Sequence, residues 1–205
     1  MDLCTKKSLK RTSQGSCISE FRVMQDVICT PDVYYSPAFQ EFIHKERTSP
    51  NSQWIFDIIA NTHCPKREQL FIQEEQWCLC ADQHHGNDIR YLVIFKDTNL
   101  VTIRNLNQKH VALLQEIYSC VRAWLLTKHK QEFHMFFHYM PSVFQLHLHV
   151  TSKTQYINVN RAHSLMEVIA RLKKNSNHYA QALILTSYCR TIKRAETHKS
   201  VQYAI

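Results

Sequence analysis

Between Gln145 and Val150 polar and apolar residues alternate: Gln145, Leu146, His147, Leu148, His149, Val150. A period of two fits a strand with one face in a core and does not fit a helix, whose faces repeat about every 3.6 residues. On a strand, Gln145, His147 and His149 share one face, and Leu146, Leu148 and Val150 point the other way. His134–Tyr139 reads as a second strand, Met140-Pro141-Ser142 as a turn, and Val143–Thr151 as the antiparallel partner. That hairpin adds His134 and His138 beside the first two imidazoles.

Three readings of this face are open. With 13 histidines in the chain, chance proximity is one. A zinc site is the second, with His147 and His149 joined by His134 or His138, although no H-E-x-x-H helix accompanies them. The third is phosphorus chemistry: a neutral imidazole is a nucleophile near pH 7, and protonated neighbours neutralise phosphate oxygens.

Composition narrows the partners. The formal charge of +8 favours an anionic ligand such as a nucleotide, a nucleic acid or an acidic membrane. The only glycines, Gly15 and Gly86, exclude a P-loop and a G-x-G-x-x-G fingerprint. Eight cysteines are scattered, and the one close pair, Cys78-Leu79-Cys80, lacks zinc-knuckle spacing. No secretory signal is evident at Met1–Gly15, so reduced thiols and a cytoplasmic or nuclear location are expected. No run approaches the roughly 20 apolar residues of a membrane-spanning helix, and no membrane partner is expected.

Along the chain, residues 1–17 read as a disordered basic head, 18–188 as one domain and 189–205 as a basic tail. Strands are expected at Phe21–Cys29, Gln69–Gln73, Gln76–Ala81 and Tyr91–Phe95. A helix opens at Ser36-Pro37 with Phe39, Phe42 and Ile43 inward, and another covers Gln53–Asn61 with Trp54 and Ile58 on one face. Asp82–Asp88 is a loop. Leu106–Lys128 is the longest helix, with Val111, Leu114, Ile117, Tyr118, Val121 and Leu125 at helical spacing. A second helix spans Ala162–Leu172, capped by Asn158 or Asn160, and Ala180–Ser187 is a last strand. Antiparallel strands with two long helices define an α+β fold.

The stretch HYMPSVFQLHLHVTS, His138–Ser152, resembles the histidine-triad hairpin of the scavenger mRNA decapping enzymes. Ser52–Ile59 (SQWIFDII), Ala81–His85 (ADQHH), the YLVIF strand, IRNLNQKHVALLQEI and Val159–Leu172 are similar to the family's other segments, so the likeness runs from about Phe21 to about Ser187. It covers the family's C-terminal catalytic domain, and the family's swapped N-terminal domain is expected to be absent.

The resemblance implies a histidine-triad (HIT-like) fold and hydrolysis of m7GpppN cap remnants to m7GMP through a nucleotidyl-histidine, with no metal or other cofactor. His147 matches the nucleophile. His149, His138 and Ser142 match phosphate contacts, with Gln145 and His84 expected beside them. Trp54 matches the tryptophan that stacks on methylguanine, and Asp82 an aspartate near the cap base. A homodimer built through the sheet and the long helix is expected.

The pattern departs in places. Gln145 stands where the triad has its first histidine, Val143 where the family has tyrosine, and His84 where it has lysine. The acid that pairs with the base edge falls in the register of Cys64–Glu68 without a clear match. Gln145 cannot titrate. Two further functions therefore stand beside the decapping one: a cap- or nucleotide-binding module with impaired turnover, and a hydrolase of other dinucleoside polyphosphates.

Overall fold

A computed structural model describes residues 7–11, 17–61, 69–82, 89–152 and 160–195, with backbone alone at 7–11, 17–26 and 187–195. In chain order the strands are β1 (Lys7–Arg11), β2 (Cys17–Cys29), β3 (Leu70–Gln73), β4 (Trp77–Ala81), β5 (Arg90–Phe95), β6 (Phe133–His138), β7 (His147–Ser152), β8 (Ala162–Ser164) and β9 (Ile184–Ala195). The helices are α1 (Pro31–Tyr34), α2 (Pro37–Arg47), α3 (Gln53–Ile59), α4 (Val111–Lys128), α5 (Leu165–Lys174) and α6 (His178–Gln181).

The chain divides into two compact units, one of Met1–Val27 with Ser187–Ile205, the other Ile28–Thr186. β1, β2 and β9 form a three-stranded sheet in that order. Strand structure thus enters both expected tails. Lys7–Arg11 pairs antiparallel with Cys17–Phe21, and β9 continues to Ala195. Backbone amides and carbonyls pair whatever the side chains are, so a polar, basic composition did not reveal these strands.

The larger unit is built on a six-stranded sheet, ordered β3-β4-β5-β7-β6-β8, and every adjacent pair in it is antiparallel. Together with its helices this is the α+β architecture that the sequence implies. Register sorts the side chains into two faces. Trp77 opposes Phe95, Leu79 opposes Val93, Val93 opposes Leu148 and Tyr91 opposes Val150. These residues enter the main core with Leu114, Ile117, Val121 and Leu125 of α4 and Leu165, Val168, Ile169 and Leu172 of α5. The other face carries Cys78, Cys80, Leu92 and Ile94, which pack with Ile55 and Ile58 of α3 in a smaller core.

Several boundaries differ from the sequence reading. The long helix begins at Val111 rather than Leu106. Two 3₁₀ turns precede it, the second held by Asn107, whose side chain accepts from Lys109 N while His110 Nδ1 accepts from Asn107 N. The second helix begins at Leu165, because Ala162–Ser164 instead pairs with Phe136–His138 as the sheet's edge. The last strand begins at Ile184, since Ala180 and Gln181 complete a helical turn. Ser36 caps α2 by accepting from Phe39 N, with Pro37 at its first position, as the sequence indicates. On α2 only Ile43 is fully buried; Phe42 is exposed, with its ring edge-on to Phe144.

Candidate active site

The two-residue period of β7 and the order of the sheet together build the site. His147 opposes Ile94, His149 opposes Leu92 and Phe136 opposes His149. The imidazoles therefore stand on the same sheet face as the smaller core under α3. His138, two residues beyond Phe136 on β6, joins them. Ring centroids are 5.0 Å apart for His147 and His149, and 4.3 Å for His138 and His149. His149 also stacks on Phe136, at 5.5 Å and 15°. His134 pairs with Thr151, farther along the strands, and stands apart from this cluster.

His147 is 6% exposed, and its Nδ1 lies 2.7 Å from the main-chain oxygen of Gln145. A carbonyl only accepts, so Nδ1 carries the hydrogen, and in the neutral ring Nε2 holds the lone pair. Burial pushes the imidazole below its ordinary pKa. The bond to Gln145 and the Asp82 carboxylate act the other way and are outweighed. The outcome is an imidazole that is uncharged near neutral pH, with Nδ1 carrying the hydrogen and Nε2 the lone pair. Among the described residues, none hydrogen-bonds that atom.

Just before β7, which begins at His147, residues 142–145 form a bend that includes Gln145. Its side chain is 0% exposed, and Nε2 donates to the carbonyls of Phe95 at 2.7 Å and Asp97 at 3.0 Å. Both amide hydrogens are thereby used, and neither is left for a phosphate. The bend forms because the Leu146 amide donates to Leu100 O and the Phe95 amide to Leu146 O, which ties the segment to the turn after β5.

The remaining expected residues are placed as follows. Trp54, on α3, is half-buried at the margin of the smaller core, while Ile55 and Ile58 are the fully buried pair. The inward stripe of that helix is thus Ile55/Ile58, with Trp54 on its flank. Val143 packs against the same core. Asp82 follows β4 and is 7% exposed, with its amide donating to Arg90 O. Ser142 is exposed in the bend. His84 and the register of Cys64–Glu68 lie outside the described residues. Among the described residues, no three His, Cys, Asp or Glu side chains are placed to hold a metal ion. No described helix is long and apolar enough to cross a membrane.

Sequence reasoning missed the groups that fix the loop after His138. Thr186 Oγ1 donates to Tyr139 O at 2.6 Å and accepts from Met140 N at 2.7 Å. Arg161 contributes its main-chain oxygen to Tyr139 N at 2.8 Å and its guanidinium to Met140 O at 2.6 Å. Beneath them Arg104 is 2% exposed and donates to Tyr139 Oη, Tyr179 O, Ala182 O and Cys29 O. The only hint in the sequence is a lone arginine within the apolar run Leu100–Leu106.

The larger unit is thus an antiparallel α+β domain with paired imidazoles on one strand, one of them buried and hydrogen-bonded through Nδ1 to a main-chain carbonyl. The family described as "Scavenger mRNA decapping enzyme C-term binding" matches residues 53–164, more than half of the chain, and the chain belongs to that family. It is 26% identical over 164 residues to the m7GpppX diphosphatase of Schizosaccharomyces pombe, covering 73% of this chain and 53% of that protein. To the m7GpppX diphosphatase of Homo sapiens it is 25% identical over 154 residues, covering 67% and 44%. The chain thus spans about half the length of the curated relatives it matches. A solved structure, "Hnt3 in complex with DNA and guanosine", is similar with a TM-score of 0.37 and 16% identity over 48% of this chain and 59% of that one, a likeness too loose to bear on function.

Proposed function

We propose that this domain is a scavenger-type decapping pyrophosphatase that hydrolyses m7GpppN to m7GMP. His147 Nε2 attacks the phosphorus that carries 7-methylguanosine. A P–N bond forms, the P–O bond to the departing nucleoside diphosphate breaks, and that group leaves with the electron pair. Water then attacks the same phosphorus, breaks the P–N bond and releases m7GMP. The observation that carries this reading is the 2.7 Å bond from His147 Nδ1 to the Gln145 carbonyl, which leaves Nε2 with its lone pair. The same bond steadies the positive charge that the imidazole gains while the phosphorus is attached.

His149 and His138, with rings 4.3 Å apart, hold the phosphate chain, and Ser142 adds its hydroxyl from the bend. His84 is assigned to the phosphates by resemblance alone. Trp54 offers a half-buried ring to the cationic methylguanine, and Asp82 lies toward the base. The enzyme acts as a homodimer in the cytoplasm, the nucleus or both.

Incubation of the full chain with m7GpppG, GpppG and diadenosine triphosphate, with products resolved by chromatography, tests the reading. m7GMP from the first substrate is expected, and its loss in His147→Ala. No product from any of the three between about pH 5 and 8, the range in which imidazoles titrate, would sink it. Tight binding of m7GpppG without cleavage would establish the second reading, a cap-binding module. The unionisable amide at Gln145 and the aliphatic Val143 favour that alternative. Cleavage of diadenosine triphosphate alone would point to a broader dinucleoside polyphosphate hydrolase.

A further inference from the structure

We infer that Gln145 is a positioning residue whose primary amide anchors the carbonyl that fixes the His147 tautomer, and that a histidine cannot replace it here. The inference rests on the proposed role of His147. Three observations meet at this residue. Its main-chain oxygen receives Nδ1–H of His147 at 2.7 Å. Its Nε2 donates to Phe95 O at 2.7 Å and Asp97 O at 3.0 Å, so one nitrogen serves two acceptors. Its Oε1 is buried with no hydrogen-bond partner.

A primary amide places two hydrogens on a single nitrogen, whereas an imidazole places at most one on each. The pair of carbonyls therefore selects glutamine over the histidine that the triad pattern has at this position. The orphaned Oε1 shows which half of the side chain matters. Burying an acceptor without a partner is unfavourable, and an aliphatic residue would avoid it. The side chain is kept for its donors.

Those donors reach a stiff part of the fold. Asp97 O also accepts from Leu100 N at 3.1 Å, Asn99 N donates to Asp97 Oδ1 at 2.9 Å, and Leu146 N donates to Leu100 O at 2.7 Å. The turn at 97–100 thereby holds residues 145 and 146 from both sides. The Gln145 carbonyl is set by that turn, and the His147 ring is set by the carbonyl.

Nitrogen-15 NMR of the imidazoles tests this in the full chain, with the His147 signal assigned by its loss in His147→Ala. In the unaltered protein His147 is expected in the Nδ1–H form, and both Gln145 side-chain amide protons are expected to exchange slowly with solvent. In Gln145→Met and Gln145→His the tautomers are expected to mix. Turnover of m7GpppG is expected to fall on the order of a hundredfold with KM little changed, the scale of a small misplacement of a reacting group.

A wild-type His147 nitrogen spectrum in either variant overturns the inference. So does fast exchange of the Gln145 amide protons in the unaltered protein, a measurement that needs no variant to fold. If the unaltered chain cleaves no substrate, the decapping reading fails by itself, and the spectrum and the exchange still decide the anchor.

Discussion

Arg104 Nε donates to the Tyr139 phenol at 2.6 Å, and among the described residues no carboxylate holds this buried guanidinium. Three main-chain carbonyls share its charge, and its carbon lies 5.3 Å from the centre of the Tyr34 ring and 5.1 Å from that of Tyr139. Burial raises the Tyr139 pKa far above its ordinary value, so the hydroxyl stays protonated. It accepts from Arg104 and donates to Cys29 Sγ at 3.2 Å. The cluster joins the end of β2, the turn at 103–105, the residue after β6 and the segment around α6. Arg104→Met strips four acceptors of their donor and is expected to cost about 3–5 kcal/mol. Arg104→Lys should recover little, since an ammonium lacks the planar fork. Urea unfolding of both variants checks this.

Thr186 bridges both sides of the Tyr139–Met140 peptide unit, and its removal should loosen the loop that follows His138 and carries Ser142. Thr186→Val keeps the shape and loses both bonds, at an expected cost of about 1–3 kcal/mol. Thr186→Ser should restore them. Melting temperatures and the turnover of m7GpppG, compared across the two variants, test this; equal turnover in both would separate the loop from the chemistry.

The pH response follows from the buried imidazoles. The pKa of His147 is lowered, mainly by burial, and that of His163 likewise. A depressed folded pKa means that the unfolded chain binds the extra proton first. Stability is then full above the unfolded value of about 6.5, falls as pH drops below it, and levels off beneath the folded values. Activity should keep to the same side: protonated Nε2 cannot attack, and the acid limb of kcat/KM should lie below about pH 6.5. Melting curves and rates against pH measure both, and His163→Gln should flatten the first without moving the second.

Trp54 contributes a half-buried ring beside the Ile55/Ile58 pair. If it stacks on methylguanine, Trp54→Ala should cost about 1–2 kcal/mol of m7GpppG binding and leave GpppG less affected, while Trp54→Phe should recover part of the loss. Titration calorimetry with His147→Ala enzyme isolates binding from cleavage. An equal loss for both nucleotides would return Trp54 to a packing role.

The sequence made one face of the hairpin legible. Leu148 and Val150 are buried in the main core as their parity requires, and His147 and His149 are brought together opposite them. The strand itself begins only at His147, since a strand's start depends on pairing partners far along the chain, here Phe95 and Leu100. The late start of the second helix has the same origin: Ala162–Ser164 has helical neighbours in sequence and a strand neighbour in space. Arg104 was unreadable for a related reason. A guanidinium satisfied by carbonyls and ring faces leaves no matching acid to look for.

The sheet acts as a partition between two sets of constraints. Leu148 answers to α4 and α5, while His149, the next residue, packs on the opposite face with Phe136, His138 and His147. A substitution on that side need not re-solve the larger interior. The smaller core under α3, bordered by Val143 and Trp54, is separate from the main one.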